Sequence, residues 1–369
     1  MKICLFSPYL PNNFGGGEKY LLDCGLAYAL NPAHQVFIAV SSDAQLSTNE
    51  LNKIKLAYSN FMGASLNKLT FISTPLASKK NFFSKLHWTK QFDVLFYLTD
   101  GSLFFSQAKR NVLHIQVPLK LNKSGFIEQQ KLKNWHKKIT NSYFTKQIIE
   151  PSWQTKIDLV HQPMVDAAPL IKSTNFQNKE KIILNVGRFF SHLHSKRQDI
   201  LVKIFARLIK AHAKELKDWK LVLIGNIEDK NYAQQVHQLA KGLPIEIYHD
   251  LSRQELITWF QKSSIYWHAT GYRINDDLNP EKLEHFGITT VEAMACGNVP
   301  VVLAKGGQIE VTGPEFKDWV WLTQQECIKK TTALIRNPSL CLELQKKAQQ
   351  RSLNFSPNVF IGKLNQTLI

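Results

Sequence analysis

Short apolar runs of two kinds alternate along this chain. The first kind is rich in β-branched and aromatic side chains and occurs at residues 2–7 (KICLFS), 35–40, 69–73, 92–98 and 111–116. Runs of that length and composition predict strands buried on both faces. The second kind has helical spacing, as in the stretch from about Glu18 that places Leu21, Leu22, Leu26 and Leu30 on one side. The alternation resumes after residue 180, with strands predicted at 181–187 (KIILNVG), 219–225 (WKLVLIG), 264–268 (SIYWH) and 299–303. A helix is predicted over 197–211, its inner face formed by Ile200, Ile204, Phe205 and Leu208. Ser252-Arg253-Gln254-Glu255 reads as a capping box opening a further helix through Leu256, Trp259 and Phe260.

Strand and helix in alternation predict an α/β protein with parallel sheets. At 369 residues the chain exceeds one ordinary core and suits two domains. The pattern divides them as 1–165 and 181–354, with the Pro-, Ser-, Thr- and Asn-containing stretch 166–180 as linker. An amphipathic helix at about 355–369 closes the chain, with Val359, Phe360, Leu364 and Leu368 on its apolar side.

An apolar fraction of 44% and a charged fraction of 20% are those of a globular protein. No apolar run approaches the ~20 residues of a membrane-spanning helix, and the opening MKICLFSPYLP lacks the form of a secretory signal. The five cysteines (Cys4, Cys24, Cys296, Cys327, Cys341) are scattered and form no CxxC pair. That pattern suits reduced thiols in a cytoplasmic protein and speaks against a zinc site.

The formal net charge of +17 changes the picture, because more than half of it falls in the first 165 residues and would draw a polyanion. Residues 79–90 (KKNFFSKLHWTK) interleave lysines with Phe82, Phe83, Leu86 and Trp88. Such a helix suits the interface of an anionic membrane, or single-stranded nucleic acid; an ordinary helix packing its aromatics inward accounts for the pattern equally well. Lys131, Lys133, Lys137 and Lys138 around Trp135 extend the basic face, which would reach the inner surface of a membrane.

Candidate chemistry concentrates in residues 281–302, EKLEHFGITTVEAMACGNVPVV. A turn through His285, Phe286 and Gly287 leads into a small helix predicted over 290–296. Its unpaired first-turn amides would favour a phosphate, with Glu284 beside that anion site and Glu292 in the first turn. A local capping box, Thr289 to Glu292, accounts for Glu292 on its own. Arg188 and Lys196 bracket the loop after the strand at 181–187, where two cations could hold a diphosphate. Gly15-Gly16-Gly17 follows the first strand but is not GxGxxG, so a dinucleotide site is not expected. His114 stands near the carboxyl end of a strand, where ligands gather in open α/β sheets. His192-x-His194 lacks a third ligand, and no Asp-x-Asp occurs, so no metal site is expected.

Two glutamates separated by seven residues, with EHFG at the start and EAMACG at the end, resemble the Glu-x7-Glu signature of glycosyltransferase family 4. These are retaining enzymes of the GT-B fold, also described as glycosyl transferases group 1. Gly187-Arg188 followed by Lys196-Arg197-Gln198-Asp199 is similar to the family's Gly-Arg…Lys-Gly-Gln-Asp pattern, with Arg197 in place of a common glycine and a longer loop. The resemblance implies two Rossmann-like domains facing across a cleft, with the final helix returning to the first. It implies that Arg188, Lys196 and the amides of Gly287, Ile288 and Thr289 meet the donor diphosphate, with Gly16 and Gly17 facing its phosphates. Glu284 would then hold hydroxyls of the transferred sugar and Glu292 those of the ribose. His114, in a segment that resembles the family's His-x-x-x-Pro, would face the reacting sugar.

The implied activity is metal-independent hexosyl transfer with no cofactor beyond the nucleotide sugar. The donor would be GDP-mannose or a UDP-hexose, and the acceptor a hydroxyl of a glycan or lipid-linked molecule. Nucleic acid is not an expected partner. Two alternatives remain at this point. A nucleotide-sugar 2-epimerase would release epimerised sugar without acceptor, and a basic nucleic-acid-binding module would show steeply salt-dependent affinity.

Overall fold

Two fully parallel sheets organise the chain in a computed structural model that describes residues 1–42, 44–76 and 81–369. The first sheet holds β1 (Lys2–Phe6), β2 (Gln35–Ser41), β3 (Leu69–Thr74), β4 (Val94–Thr99), β5 (Arg110–Ile115), β6 (Lys137–Thr140) and β7 (Leu159–Val160), in the order β3-β2-β1-β4-β5-β6-β7. The second holds β8 (Ile182–Val186), β9 (Lys220–Ile224), β10 (Ile245–Tyr248), β11 (Ile265–His268) and β12 (Val299–Val302), in the order β10-β9-β8-β11-β12. In each sheet the order runs outward in both directions from the first strand, so winding reverses at β1/β4 and again at β8/β11. Open α/β sheets bind ligands outside the carboxyl ends of strands at such a reversal. Helices cover both faces, which is why the central strands, β4 and β8 among them, are buried at every position.

The chain forms two compact units, Met1–Met164 with Asn358–Ile369, and Val165–Pro357. Residues 166–180, expected as a linker, are instead largely folded into the second unit. A helix at Ala167–Ser173 buries Ala167 and Leu170 in that unit's core, and a turn of 3-10 helix follows at Phe176–Asn178. Composition suggested a linker because Pro, Ser and Asn also cap short helices: Asn175 caps the 3-10 turn through Gln177 N–H.

The final helix, Pro357–Asn365, belongs to the first unit, where Phe360 and Leu364 join the core beneath β1 and β2. His161 ties it down. The ring is fully buried, Nε2 donates to the Phe360 carbonyl (3.0 Å), and Nδ1 accepts from the Tyr20 hydroxyl. Burial lowers its pKa from the ordinary 6.5 to about 4. Between those values the unfolded chain binds a proton that the folded chain refuses, so stability falls as pH falls through this window, by about 1.4 kcal/mol per pH unit. Denaturant unfolding is therefore expected to show a loss of about 2 kcal/mol from this group between pH 6.5 and 5. His161→Gln puts a non-titrating carboxamide N–H in place of the ring donor and should flatten the slope by that amount; an unchanged slope would rule this histidine out as its source.

The basic face is only partly formed as expected. Phe82 and Phe83 lie exposed on the helix Phe82–Thr89, while Lys79 and Lys80 lie outside the described residues. Phe126 and Ile127 add exposed apolar surface at the start of the helix Phe126–Asn134. Trp135 is not on this face, because it is fully buried against Tyr97 and Phe104. All five cysteines are buried and unpaired with one another. Among the described residues no helix is long and apolar enough to cross a membrane.

Candidate functional site

The second unit carries seven of the expected residues, Arg188, Lys196, Glu284, Gly287, Ile288, Thr289 and Glu292, and brings Lys196 and Glu284 together at the carboxyl ends of β8 and β11. Beyond β8 the chain passes Gly187 and Arg188 into a loop that returns at Lys196. The Lys196 stem lies so close over Gly187 that a Cβ there would stand 2.5 Å from Lys196 Cγ. The two cations of the loop therefore share one end of the sheet. Arg188 donates to Glu228 (2.7 Å), its guanidinium 5.0 Å from the Phe190 ring centre, and is half-exposed. Gln198, fully buried, holds the loop backbone by donating to the carbonyls of Gly187 (2.9 Å) and Arg188 (3.3 Å).

Arg197, which stands where a glycine is common, is in the left-handed region (φ 53°). That conformation disfavours a residue with a Cβ. It is held by a two-pronged contact with Asp199 (2.9 and 3.1 Å) and by a hydrogen bond to the Tyr272 carbonyl (3.1 Å). The loop thus keeps the backbone a glycine would give, stabilised through the side chain.

Lys196 ends on Glu284, 2.5 Å from Oε2. The same oxygen lies 2.9 Å from His268 Nε2, at the end of β11. Burial would raise the Glu284 carboxyl, but Lys196 and then His268 outweigh it and hold the group well below its ordinary 4.5. Three residues on, Gly287 adopts φ 113°, a conformation open to glycine, and begins the helix Ile288–Ala295. The expected capping box does not form. Gly287, not Thr289, is the N-cap, no side chain among the described residues caps the helix, and Thr289 Oγ1 accepts from Tyr266 instead (2.8 Å). The reason is tertiary: the glycine turn fixes the entry of the helix, leaving Glu292 one turn in, where it pairs with Arg253 (2.6 Å). The amides of Gly287, Ile288 and Thr289 precede the first intrahelical bond, made by Thr290 N–H to the Gly287 carbonyl (3.0 Å). They form the anion-favouring end of the helix.

His194, on the same loop, has its pKa lowered to about 3, first by burial and then by Lys196. His192 and His194 belong to no metal cluster: among the described residues no group of three or more His, Cys, Asp or Glu side chains could hold an ion. Asp276 pairs with Lys305 (2.6 Å).

Gly16, Gly17 and His114 belong to the first unit. Residues 15–17 form the turn into the helix Gly16–Tyr28, where Glu18 reaches back to the Gly15 N–H (3.0 Å). His114 is the residue expected to face the reacting sugar. Its ring is fully buried, stacked on Tyr20 (4.2 Å between centres), with neither nitrogen bonded among the described residues. It lies one residue before the carboxyl end of β5. Side chains of one strand face repeat every second residue, so Gln116 continues the His114 face beyond the end of β5. Its carboxamide lies against Gly17, where a Cβ would meet Nε2 at 2.9 Å, and its Oε1 is buried and unbonded among the described residues. Sequence reasoning gave no individual role to Gln116, Gln198 or His268. For Gln116 and His268 the available signal was position, each standing at a carboxyl strand end.

Residues 166–351, just over half of the chain, match the family described as "Glycosyl transferases group 1". Among curated proteins the chain is similar to "GDP-Man:Man(3)GlcNAc(2)-PP-Dol alpha-1,2-mannosyltransferase" of Neurospora crassa, 27% identical over 36% of this chain and 22% of the relative. The protein of the same description from Dictyostelium discoideum is 26% identical over 49% of this chain and 35% of the relative. The similarity thus spans about a quarter to a third of the length of these relatives. Among solved structures, a glycosyltransferase from Rickettsia africae aligns over 100% of this chain and 98% of its own, with TM-score 0.72 and 17% identity. HepE from Anabaena, in complex with UDP, aligns over 100% and 99%, with TM-score 0.73 and 15% identity. These likenesses establish the GT-B fold.

Proposed function

We propose, for a chain that belongs to the glycosyl transferases group 1 family and is therefore a glycosyltransferase, that it transfers a hexosyl group from a nucleotide sugar to a hydroxyl of a glycan or lipid-linked acceptor. One observation carries the reading. A carboxylate, a lysine and three helix amides that are unpaired among the described residues converge at the carboxyl ends of β8 and β11.

The leaving group is a nucleoside diphosphate, so charge builds on phosphate oxygen as the anomeric bond breaks. Arg188, Lys196 and the amides of Gly287, Ile288 and Thr289 meet that charge in place of a divalent ion. Glu284 accepts from sugar hydroxyls, and Glu292 takes the ribose hydroxyls. The family resemblance implies that Gly16 and Gly17 face the donor phosphates and His114 the reacting sugar; within the first unit Gln116 lies against Gly17. By family analogy the product keeps the donor's anomeric configuration, and the departing phosphate helps take the acceptor's proton.

GDP-mannose as donor and a lipid-linked acceptor are supported by the names of the curated relatives; a UDP-hexose is supported by the UDP complex of HepE. Exposed Phe82, Phe83, Phe126 and Ile127 on a basic unit suit an approach to an anionic membrane where a lipid-linked acceptor would lie.

The test is a thermal-shift panel of GDP-, UDP- and ADP-sugars, since a ligand that binds the folded state raises its apparent stability. At 100 times Kd the cognate donor should add about 2.7 kcal/mol. Lys196→Ala should abolish most of that gain. Transfer is then assayed with the best donor and a lipid-linked acceptor in anionic vesicles. A flat panel would refute the reading.

A further inference from the structure

We infer that His268 is a positioning residue for Glu284: it holds Oε2, so that Oε1 is the oxygen presented to the donor sugar. The inference rests on the reading of Glu284 as the sugar-holding carboxylate.

His268 is the last residue of β11 and is 1% exposed. Its Nε2 lies 2.9 Å from Glu284 Oε2 and 3.0 Å from Thr270 Oγ1. Its Nδ1 is buried with no partner among the described residues. A nitrogen facing a carboxylate oxygen must carry hydrogen, because two lone pairs would repel. A buried nitrogen with no partner is better left as a bare lone pair than as an orphaned N–H. Both conditions select one state, the neutral ring with its proton on Nε2. Burial, which lowers the pKa of this imidazole, acts in the same direction, and the Glu284 carboxylate acts against it.

The two oxygens of Glu284 are therefore unequal. Oε2 accepts from both Lys196 and His268, while Oε1 accepts no hydrogen bond among the described residues. The Glu284 carbonyl is fixed as well, by Gly307 N–H at 2.7 Å. A diphosphate competes for Lys196, and to the extent that it draws the ammonium away, His268 becomes the remaining donor on Oε2. The histidine thus keeps the carboxylate from rotating when the donor arrives. Enclosed behind the carboxylate, it touches no substrate itself.

The experiment compares His268→Ala, His268→Asn and His268→Gln in the full chain, with Glu284→Gln alongside. Gln places its amide nitrogen near the Nε2 position, whereas Asn is too short to reach it. Binding is measured with GDP and UDP, and with GDP-mannose and UDP-glucose, together with kcat and KM for the better donor. His268→Ala and His268→Asn should lower kcat/KM about tenfold to a hundredfold, the range expected for one hydrogen bond to a charged group. They should weaken the nucleotide sugar more than the bare nucleoside diphosphate, which does not reach Glu284. His268→Gln should recover most of the loss. Should the alanine variant fail to fold, the Gln–Asn comparison decides, and equal effects of the two overturn the inference. Parental kcat/KM in His268→Ala beside an impaired Glu284→Gln overturns the inference and leaves the proposed function standing. An unimpaired Glu284→Gln removes the reading of Glu284 itself, and this inference with it.

Discussion

Replacing Glu284 with glutamine is expected to lower kcat/KM for the nucleotide sugar by about a hundredfold to a thousandfold, equivalent to about 2.7–4 kcal/mol of transition-state stabilisation. The geometry explains why so small a change should matter. Lys196 and His268 both donate to Oε2. In the variant the amide oxygen must turn toward those two donors, which leaves the NH2 group where Oε1 had been. The position offered to a sugar hydroxyl then changes from a charged acceptor to a neutral donor. Stability should change by only about 1 kcal/mol, because side-chain volume is kept and both donors retain an oxygen partner. The measurement is steady-state kinetics with thermal unfolding on the same preparation. Transfer near the parental rate would end the assignment. The pH dependence has a definite sign. Because the folded-state pKa lies below the ordinary 4.5, the stability this carboxylate contributes is complete above about pH 5. It is lost progressively as pH falls from there toward the depressed folded value. Loss of rate on the acid side near neutrality would then come from another group.

The family resemblance put Glu284 and Lys196 at one donor site although 88 positions separate them, because each sits in one of the short motifs that carry it. The strands were legible for a related reason. A core strand such as β8, buried at all five positions, leaves an unbroken apolar run. β10 left no such trace: it is an edge strand with all four residues half-buried, so Glu246 can sit in IEIY without cost. The capping-box reading failed because a local pattern was overruled by contacts distant in sequence. Thr289-x-x-Glu292 has the form of a capping box, yet the start of its helix is set by the turn at Gly287 and by what packs against that turn. His114 and Gln116 lie on the same strand face, and periodicity cannot say which of two residues one pleat apart reaches the ligand. His268 in SIYWH reads as a strand residue, since nothing nearby in sequence announces a carboxylate sixteen positions on.

Gly307→Ala is the substitution expected to damage fold and site together. The new Cβ would stand 2.4 Å from the His285 carbonyl oxygen and 2.6 Å from Phe286 Cα. Both are backbone atoms, so no side-chain rotation can relieve the overlap. The main chain of residues 284–286 must move away or residue 307 must, and either movement strains the 2.7 Å hydrogen bond from Gly307 N–H to the Glu284 carbonyl. Gly306 permits no retreat: its own φ is +60°, and a Cβ there would meet the Glu284 carbonyl oxygen at 2.3 Å. A loss of about 2–3 kcal/mol is expected, at the upper end for overpacking. Gly362→Ala provides the contrast. That residue lies in the helix Pro357–Asn365 with nothing within 4 Å of an added Cβ, and alanine should stabilise by about 0.5–1 kcal/mol. The second consequence of Gly307→Ala is functional. Since the displaced segment carries Glu284 and leads into the helix at Ile288, the folded fraction should bind nucleotide sugar more weakly than the parent. Denaturant titration reads the first effect, and donor titration of the folded protein reads the second. A variant that unfolds with the parent and binds donor equally well would show that residues 306–307 do not set the position of the carboxylate.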